Sequence, residues 1–99
     1  MDLSFPEQEF DWDAHNIRKN RVRHGVEYTE AEEVFLDCGI RLLPDPTHSA
    51  SEERYIVLGK TKTERCLFVA FIRRKGRIRV ISARDMSKKE RKVYYEKNE

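Results

Sequence analysis

Long apolar runs are missing from this sequence of 99 residues. The longest, 66–72, has the length of a strand and falls far short of the roughly 20 residues that cross a bilayer, so no membrane span is expected. The first nine residues are acidic and contain no apolar core, so no ordinary secretory signal is expected. Cysteine is scarce. Cys38 and Cys66 lack CxxC spacing and lie among apolar neighbours, as expected of free, buried thiols in the reducing cytoplasm. His15, His24 and His48 show no paired ligand spacing with each other or with the cysteines, so neither a metal nor another cofactor is expected. The four glycines are too scattered to cradle a phosphate, and no Gly-x-Ser-x-Gly or Cys/His signature announces a covalent nucleophile.

Charge is what the sequence has in abundance. Charged and hydrophobic residues each make up 38% of the chain, which allows one domain, 1–99, with a modest core and a heavily ionised surface. The net charge of +2 conceals an uneven distribution. Residues 1–59 carry 6 Lys and Arg against 13 Asp and Glu, whereas 60–99 carry 14 against 5. Such a division fits a basic face for a polyanion beside an acidic region that meets a partner or folds back onto the basic half. It equally fits a solvated surface on which the signs intermix.

The apolar pattern predicts the order β-α-α-β-β-β-β-α. Phe10 and Trp12 alternate with acidic residues as in a short strand. Asp13 can cap a helix that ends before Gly25, with the cations of that helix mostly in solvent. Thr29 and Glu32 have capping-box spacing for a second helix running to about Asp37, stopped by Gly39. A brief strand at 40–43 should close in the turn Pro44-Asp45-Pro46. Strands at 54–58, 66–72 and 77–83, rich in Val, Ile, Phe and Tyr, form an antiparallel meander. Ser87 and Glu90 open a last helix. The fold class is α+β, a small antiparallel sheet with helices packed on it.

A cationic and hydroxylic set remains to carry chemistry, and it suits phosphodiesters. RNA can be cut without metal when its own 2′-OH attacks the adjacent phosphate, given a base, charge stabilisation and a proton donor for the leaving 5′-oxygen. Arg77 and Arg79 share a strand face, and Arg84 can turn to the same anion if the strand stops near Ala83. His48, after a two-proline turn, is a candidate acid or base. Glu53 and Arg54 could be a base and its orienting partner, and Tyr94, four residues after Glu90, a donor to RNA. Arg73, Arg77, Lys88, Lys89 and Arg91 are candidate backbone contacts. Each also has an ordinary reading: charge protecting an edge strand, a surface histidine, a cross-strand ion pair, a packed tyrosine.

From Phe10 to about Tyr95 the chain resembles the BrnT toxins. The resemblance rests on Phe10-Asp11-Trp12-Asp13 with Asn16, His24-Gly25-Val26, Glu30-Ala31, and Val34-Phe35-Leu36-Asp37. It continues through Asp45-Pro46, His48-Ser49, Glu52-Glu53-Arg54 with Gly59, Arg79-Val80-Ile81-Ser82-Ala83-Arg84, Glu90-Arg91 and Tyr94. Arg23 stands where lysine usually precedes the His-Gly pair, and Ala14 where proline is common. The resemblance implies a RelE-like fold and an endoribonuclease that blocks translation by cutting RNA, including ribosome-bound mRNA. It also implies a BrnA-type antitoxin with a ribbon-helix-helix domain, through which alone operator DNA would be met. Without the resemblance, the residues fit a non-catalytic nucleic-acid or ribosome-binding module, or a corepressor subunit, as well as an enzyme.

Overall fold

Asp13 ends an extended lead-in by accepting the Asn16 N–H at 2.8 Å, and helix α1 runs from Ala14 to His24. Gly25 stops it in the left-handed region at φ 64°, its N–H returning to the Arg21 carbonyl and the Val26 N–H to that of Asn20. The computed structural model to which these elements belong describes residues 9–45 and 53–96. Helix α2, Tyr28–Val34, begins earlier than the Thr29 cap predicts. Glu27 and Glu30 form the reciprocal box instead, while the Glu32 carboxylate is occupied by the Trp12 indole N–H at 2.8 Å. Beyond Val34 the chain tightens into i→i+3 bonds that carry the turn to Asp37.

Four strands follow: β1 (Arg41–Pro44), β2 (Arg54–Lys60), β3 (Cys66–Arg74) and β4 (Arg77–Asp85), antiparallel throughout and ordered β1-β2-β3-β4. Helix α3, Lys88–Tyr95, starts at the predicted Ser87/Glu90 box. The meander and the α+β class are as expected. Pro44 is not in a turn; it closes β1 opposite Tyr55, a position that an edge strand tolerates. Strands β3 and β4 run further toward each other than expected, leaving only Lys75 and Gly76, both at positive φ, to form a two-residue hairpin turn. The predicted strand at 10–12 is reduced to a single parallel bridge between Phe10 and Ile78, because only Glu9 and Asp11 exchange backbone bonds with β4.

The inner face of the sheet packs Val57, Leu67, Val69, Phe71, Ile78, Val80 and Ala83 against Val26 and the Ala31, Val34 and Phe35 side chains. Phe35 is central, edge-on to Phe10 at 5.3 Å and to Phe71 at 5.2 Å. Helix α1 contributes little to this core. It covers the free edge of β4 through polar groups: Asn16 and Lys19 donate to the carbonyls of Val80 and Ile81, and Asn20 accepts the Ala83 N–H. Arg65 ties its C-terminus down, donating to the His24 and Gly25 carbonyls and pairing with Glu30 and Asp85. Both cysteines are free, but neither is buried as expected: Cys38 is exposed in the turn after α2, and Cys66, at the start of β3, is half-buried. Among the described residues no helix is long and apolar enough to cross a membrane.

Candidate active site

Strand β4 carries one extra residue. Ala70 pairs with Ser82 and Phe71 with Val80, so Ile81 is bulged out of the ladder. Before the bulge Ile78 and Val80 face the core; after it Ala83 does. The inversion brings Arg77, Arg79, Ser82 and Arg84 onto one outer face. An unbroken alternation would have put Arg84 on the core side with Ile78 and Val80.

Arg54 joins this face from β2. Arg54, Ile72 and Arg79 form one cross-strand row, with Arg74 and Arg77 paired in the next. Two strand spacings set Arg54 and Arg79 roughly 9.5 Å apart at their Cα atoms, on either side of the buried Ile72. Lys19 enters from the β4 edge, its ammonium 2.5 Å from the bulged Ile81 carbonyl and within the field of Arg54 and Asp13. Burial first, then the neighbouring Arg23 and Arg54 charges, lower its pKa from the ordinary lysine value.

Acidic residues of the lead-in lie against this row. Glu9 pairs with Arg77 at 3.3 Å, Asp11 with Arg79 at 3.3 Å, and Asp13 also accepts from Arg79. The acidic lead-in thus lies against the basic strand β4, an arrangement that both the fold-back and the intermixed-charge readings allow. The Asp13 hydrogen bond, ahead of the fields of both carboxylates, raises the Arg79 pKa further, and the side chain is 22% exposed.

Arg84 lies at the other end of the face. Strand β4 does not stop near Ala83 but runs to Asp85, and the Arg84 guanidinium grips Glu90 with two bonds of 2.8 and 2.9 Å while stacking 3.9 Å above the Phe68 ring. Tyr94 donates to Asp37 at 2.6 Å, and burial followed by that bond raises its pKa well above the usual tyrosine value. Glu53 accepts from the Tyr55 hydroxyl at the mouth of β2. Arg73, opposite Ile78, belongs to the other face of the sheet. Lys88, Lys89 and Arg91 are exposed on α3, away from the Arg54–Arg79 row. His48 lies outside the described residues.

A family model described as "Ribonuclease toxin, BrnT, of type II toxin-antitoxin system" matches residues 12–90. The chain belongs to the BrnT family of ribonuclease toxins. The crystal structure of the Brucella abortus ribonuclease toxin BrnT, at 1.1 Å resolution, matches it with a TM-score of 0.63 at 20% identity, over 82% of this chain and 99% of that one. No curated protein matches. The region shared with the BrnT family takes in Arg54, Arg79, Arg84 and Glu90, whereas Asp11 and Tyr94 fall outside it.

Lys19 is the site residue that the sequence did not announce. A helix is placed from its apolar stripe, and α1 meets the sheet through Asn16, Lys19 and Asn20 instead. The available signal was this polar i, i+3, i+4 set ahead of the His24-Gly25 stop.

The carboxylates of these networks make stability acid-sensitive. The Asn16 backbone bond holds Asp13 below the ordinary 3.8, and the Arg65 bond does the same for Asp85. For Glu90 burial pushes upward, but bonds from Arg84 and Ser87 prevail and hold it below 4.5. A depressed folded pKa stabilises above the unfolded value and ceases to do so as pH falls through the folded one. The thermal midpoint should therefore stay nearly level from about pH 7 to 5 and fall steeply below about pH 4. In Asp85→Asn the midpoint should start lower at neutral pH and fall less on acidification. A midpoint unchanged down to pH 3 would contradict these ion pairs.

Proposed function

We propose that this BrnT-family chain is a metal-independent endoribonuclease that acts in the cytoplasm on RNA, free or ribosome-bound, and so blocks translation. The 2′-oxygen attacks the adjacent phosphorus, the bond from phosphorus to the 5′-oxygen breaks, and the products are a 2′,3′-cyclic phosphate and a 5′-hydroxyl. The observation that carries the reading is the row of Arg54 and Arg79 on one face of the sheet, with Lys19 at its β4 edge on the bulged Ile81 carbonyl. These cations can stabilise the charge that grows on the phosphorane. His48 is proposed for proton transfer, with Glu53 as its partner only if RNA draws that carboxylate from Tyr55, which holds it on the core side of β2. Arg84 and Tyr94 are positioning residues in this reading, since each is bound to a neighbouring carboxylate and fixes α3. Arg77 and Arg74 extend the cationic row toward the hairpin, where the substrate backbone would continue. A cognate antitoxin of the ribbon-helix-helix type would silence the enzyme by covering this face, and operator DNA would be contacted only by that antitoxin.

Labelled RNA incubated with the purified chain in EDTA should still be cut, and the products should end in a 2′,3′-cyclic phosphate. A 2′-deoxy substitution at the cleaved nucleotide should abolish the cut. Activity that vanishes on chelation, or persists at the deoxy site, would overturn the chemistry; intact RNA under all conditions would leave a binding module.

A further inference from the structure

Apart from Lys19, the basic face of α1 takes no part in the candidate active site. His15, Arg18, Lys19, Val22 and Arg23 recur at i, i+3, i+4, i+7 and i+8 of α1, so they share one helix face, and together they line a groove of about 250 Å³. Arg18 and Arg23 are exposed, and among the described residues neither is paired with a carboxylate. This contrasts with Arg65, Arg77, Arg79 and Arg84, each of which holds at least one. The first turn of α1 has no acidic residue, and Val22, 70% exposed, is the apolar member of the face. At the groove's inner edge Lys19 bonds to the bulged Ile81 carbonyl and shares the field of Arg54. Lys19, shared by the groove and the edge of β4, is the link between the groove and the sheet that carries the Arg54–Arg79 row.

We infer that the His15–Arg18–Lys19–Val22–Arg23 face of α1 is a second RNA-binding surface, which holds the single-stranded backbone on one side of the cut. This rests on the ribonuclease reading and extends it to the substrate's length: the enzyme grips an RNA strand several nucleotides long rather than the scissile step alone. The argument is one of charge complementarity. Unpaired cations spaced along a helix suit a chain of phosphates, and the neighbouring arginines already have carboxylate partners for RNA to displace. Val22 offers an apolar patch on which a base can lie.

The test is equilibrium binding of a 20-nucleotide single-stranded RNA, 2′-O-methylated throughout so that it cannot be cut by its own 2′-oxygens, over a range of salt. Arg18→Gln with Arg23→Gln removes the two exposed arginines of this face. Arg21→Gln with Lys62→Gln removes the same charge from exposed positions off this face. Glutamine keeps the helix propensity of the residues it replaces. The first pair should weaken binding about tenfold and reduce the slope of log affinity against log salt by about 1.4, the value for two phosphate contacts on a single strand. The control pair should change both much less. Equal losses in the two pairs, or wild-type binding by the first, would overturn the inference. So would loss of antitoxin binding by the first pair with RNA binding intact, which would assign the face to the antitoxin. Cleavage of unmethylated RNA by the wild-type chain is measured alongside; its absence would refute the ribonuclease reading, while the binding comparison still decides the role of α1.

Discussion

Gly59→Ala is expected to destabilise the fold by about 2 kcal/mol through overpacking, and so to lower the thermal midpoint by about 10 °C. A Cβ at position 59 would lie 2.6 Å from Val34 Cγ1 and 3.1 Å from the Val34 carbonyl oxygen. No backbone conformation peculiar to glycine is involved: the requirement is space between β2 and the end of α2. Relief would have to come from α2 moving away, and the move would strain what depends on it. Asp37, which follows α2, accepts the Lys60 N–H at 2.9 Å and the Tyr94 hydroxyl at 2.6 Å. The same displacement would therefore loosen the attachment of α3. In a Val34→Ala background the nearest clashing atom is gone, so Gly59→Ala should cost about 1 kcal/mol less there than it does in the wild type. Denaturant unfolding of the four proteins measures both quantities. A Gly59→Ala chain as stable as wild type, or an equal increment in both backgrounds, would rule out the clash with the Val34 side chain.

What could be read in the sequence was local. The caps of α1 at Asp13 and Gly25 and the capping box of α3 at Ser87 involve residues three or four apart, and both helices lie where their signals put them. The strands of the meander are dense in β-branched and aromatic residues, and their pairing follows from short connections. Errors arose where a distant group decided between local alternatives. Glu27-Glu30 and Thr29-Glu32 both have capping-box spacing, and Trp12, remote in sequence, takes Glu32 out of the competition. Phe10 and Trp12 alternate as in a strand, yet their segment pairs with the sheet only through one bridge at the start of β4.

The candidate site was legible to the same extent. Period two puts Arg77 and Arg79 together without any structure, but Arg84 reaches that face only through the bulge at Ile81, and nothing in the local sequence marks Ile81 as the residue left unpaired. Arg54 joins Arg79 by register across an intervening strand. The uneven charge distribution along the chain was visible at once. That its acidic part contacts the basic part directly, Glu9 on Arg77 and Asp11 and Asp13 on Arg79, required the parallel run of the lead-in beside β4.

Arg79→Lys should lower the rate of RNA cleavage by about 10²-fold, the scale on which removal of one electrostatic donor acts. Arginine at this position does two things at once. Its terminal nitrogens are held by Asp11 and Asp13, which fixes the plane of the guanidinium, while a guanidinium's five N–H donors leave others to meet a phosphate. Lysine keeps the charge but has a single nitrogen, which cannot bridge two carboxylates and also present an oriented fork to the phosphorane. The loss should fall on kcat, with KM little changed, because the donor matters most where charge develops. Stability should change by less than about 1 kcal/mol, since the Arg79 ion pairs are partly solvated and screened. Arg84→Lys provides the contrast. It breaks the two-bond grip on Glu90 and the stacking on Phe68, so any loss of rate there should come with a lower thermal midpoint. Single-turnover cleavage and thermal unfolding of both variants separate the two roles. A folded Arg79→Lys chain cutting RNA at the wild-type rate would make Arg79 an ordinary partner of the acidic lead-in and leave Arg54 and Lys19 to stabilise the transition state without it.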